Sequence, residues 1–171
     1  MIGRLPVSLP VASNEWRIRT DYRDILTIME AYSDPELSDR EKAWIMLNIL
    51  YADWEKMPKE LYREAAEKAV WFLDCGQEED DKKPPRKLMD WEQDEAILFP
   101  AINKVAGREV RAVEYMHWWT FMGYFMEIEE GTFSVVLGIR QKRAKGENLE
   151  KWEQDFYRNN KTLCDLKTKY T

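Results

Sequence analysis

Apolar residues recur along most of this chain at the three- and four-residue steps of a helix buried on one side. In "TDYRDILTIMEAYSD", Ile25, Ile28, Met29 and Tyr32 share a face, and Thr20 or Asp21 stands where a cap belongs. "SDREKAWIMLNILY" opens with Ser38 and Glu41 in the S-x-x-E arrangement of a capping box, in which each side chain reaches the other's free backbone N–H. Trp44, Leu47, Leu50 and Tyr51 form the stripe behind it. "MPKELYREAAEKAVWFLDCG" places Pro58 at a first-turn position and stops at Gly76, which suits a left-handed cap. "DWEQDEAILFPAINKVAG" predicts a helix from Asp90, with acids in the first turn where the helix dipole favours them. Pro100 is expected to kink or break it, because its ring clashes with the carbonyl four residues back. Helical patterns resume in "GTFSVVLGIRQKRAKG" and in the charged "NLEKWEQDFYRNNKTLCDLK".

Two stretches depart from this period. "LPVSLPV" and "EWRIR" alternate partially around the turn cluster "ASN", which predicts a hairpin over about 5–19. Trp16 and Ile18 point to one side of it, Arg17 and Arg19 to the other. Pro6 and Pro10 cannot donate to a ladder, so the hairpin is an edge ribbon packed on something larger. "GQEEDDKKPPRK", about 76–87, has no apolar residue except its prolines. It cannot bury surface to offset its ordering entropy and reads as a mobile acidic and proline-rich loop. The fold expected is mainly α: a compact multi-helix domain around a central aromatic helix, with a small N-terminal β-hairpin. The 171 residues suit a single domain spanning 1–171, since domains cluster at about 100–200 residues.

The central helix is expected in "EYMHWWTFMGYFMEI", Glu114 to Ile128, which holds both members of the Trp118–Trp119 pair and the only histidine of the chain. Wound as one helix, this window is apolar on nearly every side, with Glu114, His117, Thr120, Tyr124 and Glu127 on a narrow polar stripe. Such a helix is the core of the fold, and His117 reads as a hydrogen-bonded buried residue. Glu114 and His117 have the Glu-x-x-His spacing of di-iron bundles, but that site needs the motif twice, and a chain with one histidine cannot supply it.

Composition narrows the function. The formal net charge of −6 argues against general nucleic-acid binding, although "RQKRAKG", Arg140 to Gly146, is locally basic. No uncharged apolar run approaches the ~20 residues of a membrane helix. Cys75 and Cys164 lack any metal-binding spacing and read as thiols of a reducing compartment. Phosphate loops and nucleophile elbows are missing, so no enzyme and no cofactor are expected. "WEQD" occurs twice, at Trp91–Asp94 and Trp152–Asp155, with unrelated flanks; it is not read as a repeat.

An acidic helical chain with many large apolar side chains and no catalytic set is most economically a binding module. The aromatics on helices that also carry charge, Trp44, Tyr51, Trp54, Tyr62, Trp152 and Tyr157, are the expected partner-binding stripe. "TDYRDILTIMEAYSDPELSDREKAWIMLNILY", "MDWEQDEAILFPAINKVAG", and "HWWTFMGYF" followed by "GTFSVVLGIR" resemble the gene-product-fifteen family of bacteriophages, from the hairpin to about Arg143. These are small proteins of siphoviruses and prophages of Gram-positive bacteria. The resemblance implies a place in the tail-building gene cluster and the work of a self-associating tail assembly chaperone. Such a protein binds the tape-measure protein in the host cytoplasm before the tail tube polymerises, and is absent from the mature virion. A minor structural component of the tail or its initiator complex is the alternative. The motifs are structural and carry no catalytic residue over.

Overall fold

The computed structural model describes residues 3–77 and 87–167. Most of the acidic and proline-rich loop expected over 76–87 lies outside the described residues. The chain divides into two compact units, Met1–Asp81 with Glu114–Gly123, and Lys82–Val113 with Tyr124–Thr171.

The first unit opens with the expected hairpin. Strands β1 (Ser8–Val11) and β2 (Asn14–Arg17) pair antiparallel, with Leu9 opposite Trp16 and Val11 opposite Asn14. The connection is the two residues Ala12 and Ser13, and Ala12 takes φ +54°. That left-handed conformation is uncommon outside glycine. Its N–H is held by Glu64 Oε1 at 2.8 Å. Leu9 and Val11 are buried while Pro10 between them is exposed, as strand alternation requires.

Helix α1 (Tyr22–Ser33) starts at Asp21, whose carboxylate accepts from the N–H of Arg23. Helix α2 (Asp39–Leu50) carries the predicted Ser38–Glu41 capping box. Its buried residues are Met46, Leu47 and Leu50; Trp44 is 55% exposed and falls off the expected stripe. Two short 3-10 turns, Trp54–Lys56 and Lys59–Leu61, lead into helix α3 (Tyr62–Leu73), so Pro58 lies before the helix rather than inside its first turn. Gly76 has φ +81°, and a Cβ there would meet the Trp119 ring at 3.0 Å. The backbone turns left-handed at that point, as the sequence implies, and the close indole adds a second reason for glycine.

The aromatic window forms a shorter helix than its pattern suggests. Helix α5 runs from Trp118 to Met126, and the residues before it are extended. Tyr22 N–H donates to the Met116 carbonyl and Trp118 N–H to that of Thr20, with Asp21 and His117 paired as an isolated bridge. The Asp21 carboxylate also accepts from Met116 N–H, and the hydroxyls of Thr20 and Tyr115 are 2.7 Å apart. These bonds draw the backbone of 115–117 away from helix, and Tyr115 is left exposed.

Trp118 and Trp119, about 100° apart on a helix, converge on one helix end. Trp118 Nε1 donates to the Leu73 carbonyl and Trp119 Nε1 to the Phe72 carbonyl, each at 2.9 Å. These are carbonyls of the last turn of α3, which has no basic residue of its own there. Tyr22 stacks on Phe121 with centroids 4.4 Å apart and planes 4° from parallel. Trp118, Phe121, Tyr22, Ile25, Leu50 and Phe72 form the dry centre of this unit. The part of the window up to Gly123 is therefore a core element of the first unit, and Tyr124 to Ile128 fall in the second.

In the second unit, helix α4 (Glu95–Ala106) follows a turn at Trp91–Asp94 and continues through Pro100. Pro100 and Ala96, whose carbonyl loses its donor, are both exposed, so the helix keeps that acceptor in contact with solvent instead of ending. Gly107 closes it in the left-handed conformation. Helix α6 (Thr132–Lys145) is bounded by Gly131 and Gly146. Helices α7 (Lys151–Asn159) and α8 (Lys161–Cys164) complete the eight α-helices among the described residues.

The centre of this unit is polar. Arg140, on α6, is 5% exposed and forms a two-pronged pair with Asp94, which is 1% exposed, at 2.7 and 2.8 Å. Its remaining N–H groups reach the carbonyls of Leu88, Leu163 and Cys164 at 2.9, 2.6 and 3.1 Å. Asp94 accepts in addition from the N–H of Asp90 at 3.0 Å. Val136 and Ile139 line up beside it on α6 and pack with Cys164.

Trp118→Ala is expected to lower stability by about 3–5 kcal/mol. Trp118→Phe, which keeps a ring but removes the donor to Leu73, is expected to cost about 1–3 kcal/mol. Urea titration followed by far-ultraviolet circular dichroism reads both, and parental midpoints would remove Trp118 from the core. Arg140→Met, which strands a buried carboxylate, is expected to cost about 3–5 kcal/mol. Adding Asp94→Leu is expected to recover only part of that loss, because three carbonyls still lack their donor; full recovery would show the carbonyl bonds to be worthless.

Candidate functional site

The six aromatics expected to make one exposed stripe do not make one. Tyr51 is fully buried and donates its hydroxyl to the Ala65 carbonyl at 2.9 Å. Burial pushes that phenol far above its ordinary range. Trp54 is also buried and stacks on the half-buried Tyr62, with centroids 4.3 Å apart. Tyr157, half-buried, bonds to Asp165 and lies under the Arg143 guanidinium at 4.4 Å. Only Trp44 and Trp152 are more than half exposed, and they belong to different units. The stripe fails because amphipathic spacing fixes which residues can share a face, whereas neighbouring elements decide which face is covered.

The basic run around Arg140 also changes meaning. Arg140 is the buried hub; Lys142 is bonded to both oxygens of Glu153 at 2.7 and 2.8 Å. Arg143 pairs with Asp165, and Lys145 stands 4.0 Å from Glu147. Each cation therefore faces a carboxylate of its own chain. The two WEQD segments supply two of those partners. Asp94 of the first holds Arg140, and Glu153 of the second, buried, holds Lys142. Gln93 of the first also binds the chain near its end, donating to the Asp165 carbonyl and accepting from Lys167 N–H, each at 2.8 Å.

His117 is held on both sides. Nδ1 accepts from Trp119 N–H at 3.0 Å, which leaves the proton on Nε2, 2.9 Å from the Pro6 carbonyl. Burial lowers its pKa from the ordinary 6.5, against an opposing contribution from the Pro6 hydrogen bond. Glu114 is exposed and lies outside the helix, so the Glu-x-x-His spacing does not aim two ligands inward. Among the described residues no group of His, Cys, Asp and Glu is placed to hold a metal ion. Burial raises both thiols, that of Cys75 to about 11, which leaves little thiolate at neutral pH.

A concave feature that the sequence did not flag lies in the first unit. A groove of about 400 Å³ opens between α1, α2 and α3. Its floor is Ala43 and Met46 from α2 with Ala66 and Val70 from α3, and Tyr32 and Trp71 stand as half-exposed aromatic walls. Tyr32 donates its hydroxyl to Met46 Sδ at 3.3 Å. Glu67, Asp74 and Gln77 complete the lining among the described residues, none of which is basic. Glu67 pairs with Arg63, outside the lining, at 3.2 Å. Ala43 of α2 and Ala66 of α3 contribute only methyl groups to this lining. A signal was available in the alternative phase of α2, in which Ala43, Met46, Leu47 and Leu50 share one face. Trp44 masked that phase.

Residues 1–166 of the chain match the family model described as bacteriophage Gp15 protein. No curated protein and no solved structure matches it.

The lone histidine makes one pH response assignable. Its folded pKa lies below the unfolded value, so the unfolded chain takes up the proton first as pH falls. The stabilisation from neutral His117 is therefore complete above about pH 6.5 and is lost as pH falls through the folded value. Urea stability is expected to drop between pH 7.5 and 5.5 by no more than about 1.4 kcal/mol per pH unit for one proton. His117→Asn is expected to flatten that slope; a variant with the parental slope would remove His117 as its source.

Proposed function

The chain belongs to the bacteriophage Gp15 family, and from that premise we propose that it is a tail assembly chaperone that binds the tape-measure protein before the tail tube polymerises. The observation that carries this reading is the apolar groove between α1, α2 and α3, with Met46 on its floor and Trp71 at its wall. A chaperone for a long helical client must offer apolar concavity to many similar turns of helix. Methionine adapts to varied partner surfaces and tryptophan anchors interfaces, so this lining chemistry suits the task. The reading assigns no reaction and no cofactor to the chain, and places its work in the host cytoplasm. Family membership supports a phage role, and the tape measure as client is our inference from the groove and from the tail-cluster setting that the family implies.

Co-expression with the tape-measure protein of the same phage tests it. The tape measure, insoluble alone, is expected to become soluble and to co-purify with this chain, and mass spectrometry of purified virions is expected to find the chain absent. A tape measure that stays insoluble and unbound would sink the chaperone reading. A stoichiometric amount in virions would assign the chain to the tail structure instead.

A further inference from the structure

We propose that His117 is an acid-released clasp between the N-terminal segment and the start of α5. One proton taken up by its ring opens this corner of the first unit while the helices around it stay folded. The inference is independent of the chaperone reading.

The clasp is a single ring held at both nitrogens. Nε2 donates to the Pro6 carbonyl at 2.9 Å, and Nδ1 accepts from Trp119 N–H at 3.0 Å. Trp119 lies in the first turn of α5, where an N–H finds no carbonyl of its own helix, so the imidazole serves as its cap. The two bonds join positions 6 and 119 through a side chain that is 4% exposed. Phe72 and Trp119 meet the ring edge to face, with centroids 5.8 and 6.3 Å away. Only the neutral ring with its proton on Nε2 can make both bonds.

Proton uptake removes the acceptor. The imidazolium has two donors, and the new Nδ1–H is aimed at another N–H. It also places a charge in a site walled by aromatic rings, and burying an unpaired charge is costly. The titratable groups on the surrounding elements do not offset that cost. Arg4 precedes Pro6, Asp74 follows Phe72 at the end of α3, and Glu114 precedes the ring on its own segment. At the bridge, the Asp21 carboxylate is committed to Arg23 and to Met116 N–H. The Tyr115 hydroxyl meets that of Thr20, the Tyr22 ring stacks on Phe121, and the Cys75 thiol, pushed up to about 11, stays neutral. Burial lowers the imidazole's pKa against the Pro6 bond, and none of these charges enters the balance. The Pro6 carbonyl favours the charged ring, so the conflict falls on the other side, at Trp119. Relief comes by drawing the ring from its site or by opening the first turn of α5, and both end the link.

Neighbouring bonds that need no histidine keep the opening local. Trp118 N–H donates to Thr20 and Tyr22 N–H to Met116, while both indoles stay on the end of α3. On the other side, Ile18 N–H holds the Val7 carbonyl. Residues 3–6, up to that bond, are therefore the part of the N-terminal segment that the clasp controls. A freed ring returns to the ordinary imidazole pKa, so release is favoured as pH falls below about 6.5.

The test is nuclear magnetic resonance of the full-length, isotope-labelled protein at about pH 7.5 and 5.5, with His117→Asn as the control. Asparagine supplies an acceptor and a donor but takes up no proton. As the pH is lowered, the His117 ring nitrogens are expected to report protonation, and the Leu5 and Trp119 amides to shift with the same midpoint. Protection of Trp119 N–H against exchange, corrected for the intrinsic rate, is expected to fall at least tenfold. The heteronuclear Overhauser effect of Leu5 is expected to fall with it, and the Trp118 indole to keep its protection within twofold. In His117→Asn the responses of Leu5 and Trp119 are expected to vanish. A ring that titrates while Leu5 and Trp119 stay still would show the charge accommodated in place and overturn the proposal. So would an equal loss of protection at Trp118, which would make the opening global, or an unchanged response in His117→Asn, which would assign it to another group. A ring still neutral at about pH 5.5 would overturn it as well, because the clasp would not open in this range. The wild-type readings decide the matter even if His117→Asn fails to fold.

Discussion

The last carbonyls of a helix cannot be left dry, and this constraint organises both units. Helices α1, α2 and α3 carry no basic residue in their final turns. The donors for α2 and α3 come from far along the chain. Arg19 reaches the carbonyls of Asn48 and Ile49 at the end of α2 at 3.2 and 2.6 Å, and its own N–H donates to Leu50. Trp118 and Trp119 serve α3, and Arg140 serves the carbonyls of Leu163 and Cys164 at α8. A buried carbonyl without a donor costs about 1–3 kcal/mol, so the buried bonds from Trp118 to Leu73 and from Arg140 to Cys164 fix where α3 and α8 end as well as what they pack against.

The second unit depends on a desolvated charge more than on apolar bulk. A pair as buried as Arg140 and Asp94 contributes little net stability compared with a well-packed apolar substitute. What it does specify is geometry: a planar guanidinium with five donors admits one arrangement of Asp94, Leu88, Leu163 and Cys164. The two WEQD segments present acids to different sides of α6, at Arg140 and at Lys142. The first copy does so with its last residue from a turn and the second with its second residue from within α7, so the tetrapeptide is repeated without a repeated device.

Local rules were the legible part of the sequence. The Ser38–Glu41 box, a cap at Thr20 or Asp21, the hairpin and the left-handed backbone at Gly76 depend on residues a few positions apart, and the structure contains all of them, the cap at Asp21. Pairings across long separations were not legible. Nothing near Glu114 announces that Thr20 and Tyr22 will hold 116–118 extended, so helical periodicity alone began that helix too early. Arg140 and Asp94 lie 46 positions apart, and in sequence Arg140 is one member of a locally basic run. Trp44 misled for a different reason. Two phases of α2 fit the apolar pattern, and a large aromatic outweighs an alanine on paper although Ala43 lies on the groove side. The candidate site was missed in part because Ala43 and Ala66, which composition does not advertise, belong to its lining.

The discontinuity of the first unit bears on how the chain is made. Residues 114–123 belong to the same compact unit as the N-terminal hairpin and α1 to α3. When α3 leaves the ribosome, the slot for Trp118 is empty, and the carbonyls of Phe72 and Leu73 have not met their indole donors. Chains elongate at about 5–20 residues per second, so this open state lasts for seconds, far longer than helices need to form. Closure is a long-range event with its own loop-entropy cost, whatever the quality of the local helices. The paired tryptophans thus act in time as well as in space: the first unit becomes dry only after most of the chain has been synthesised.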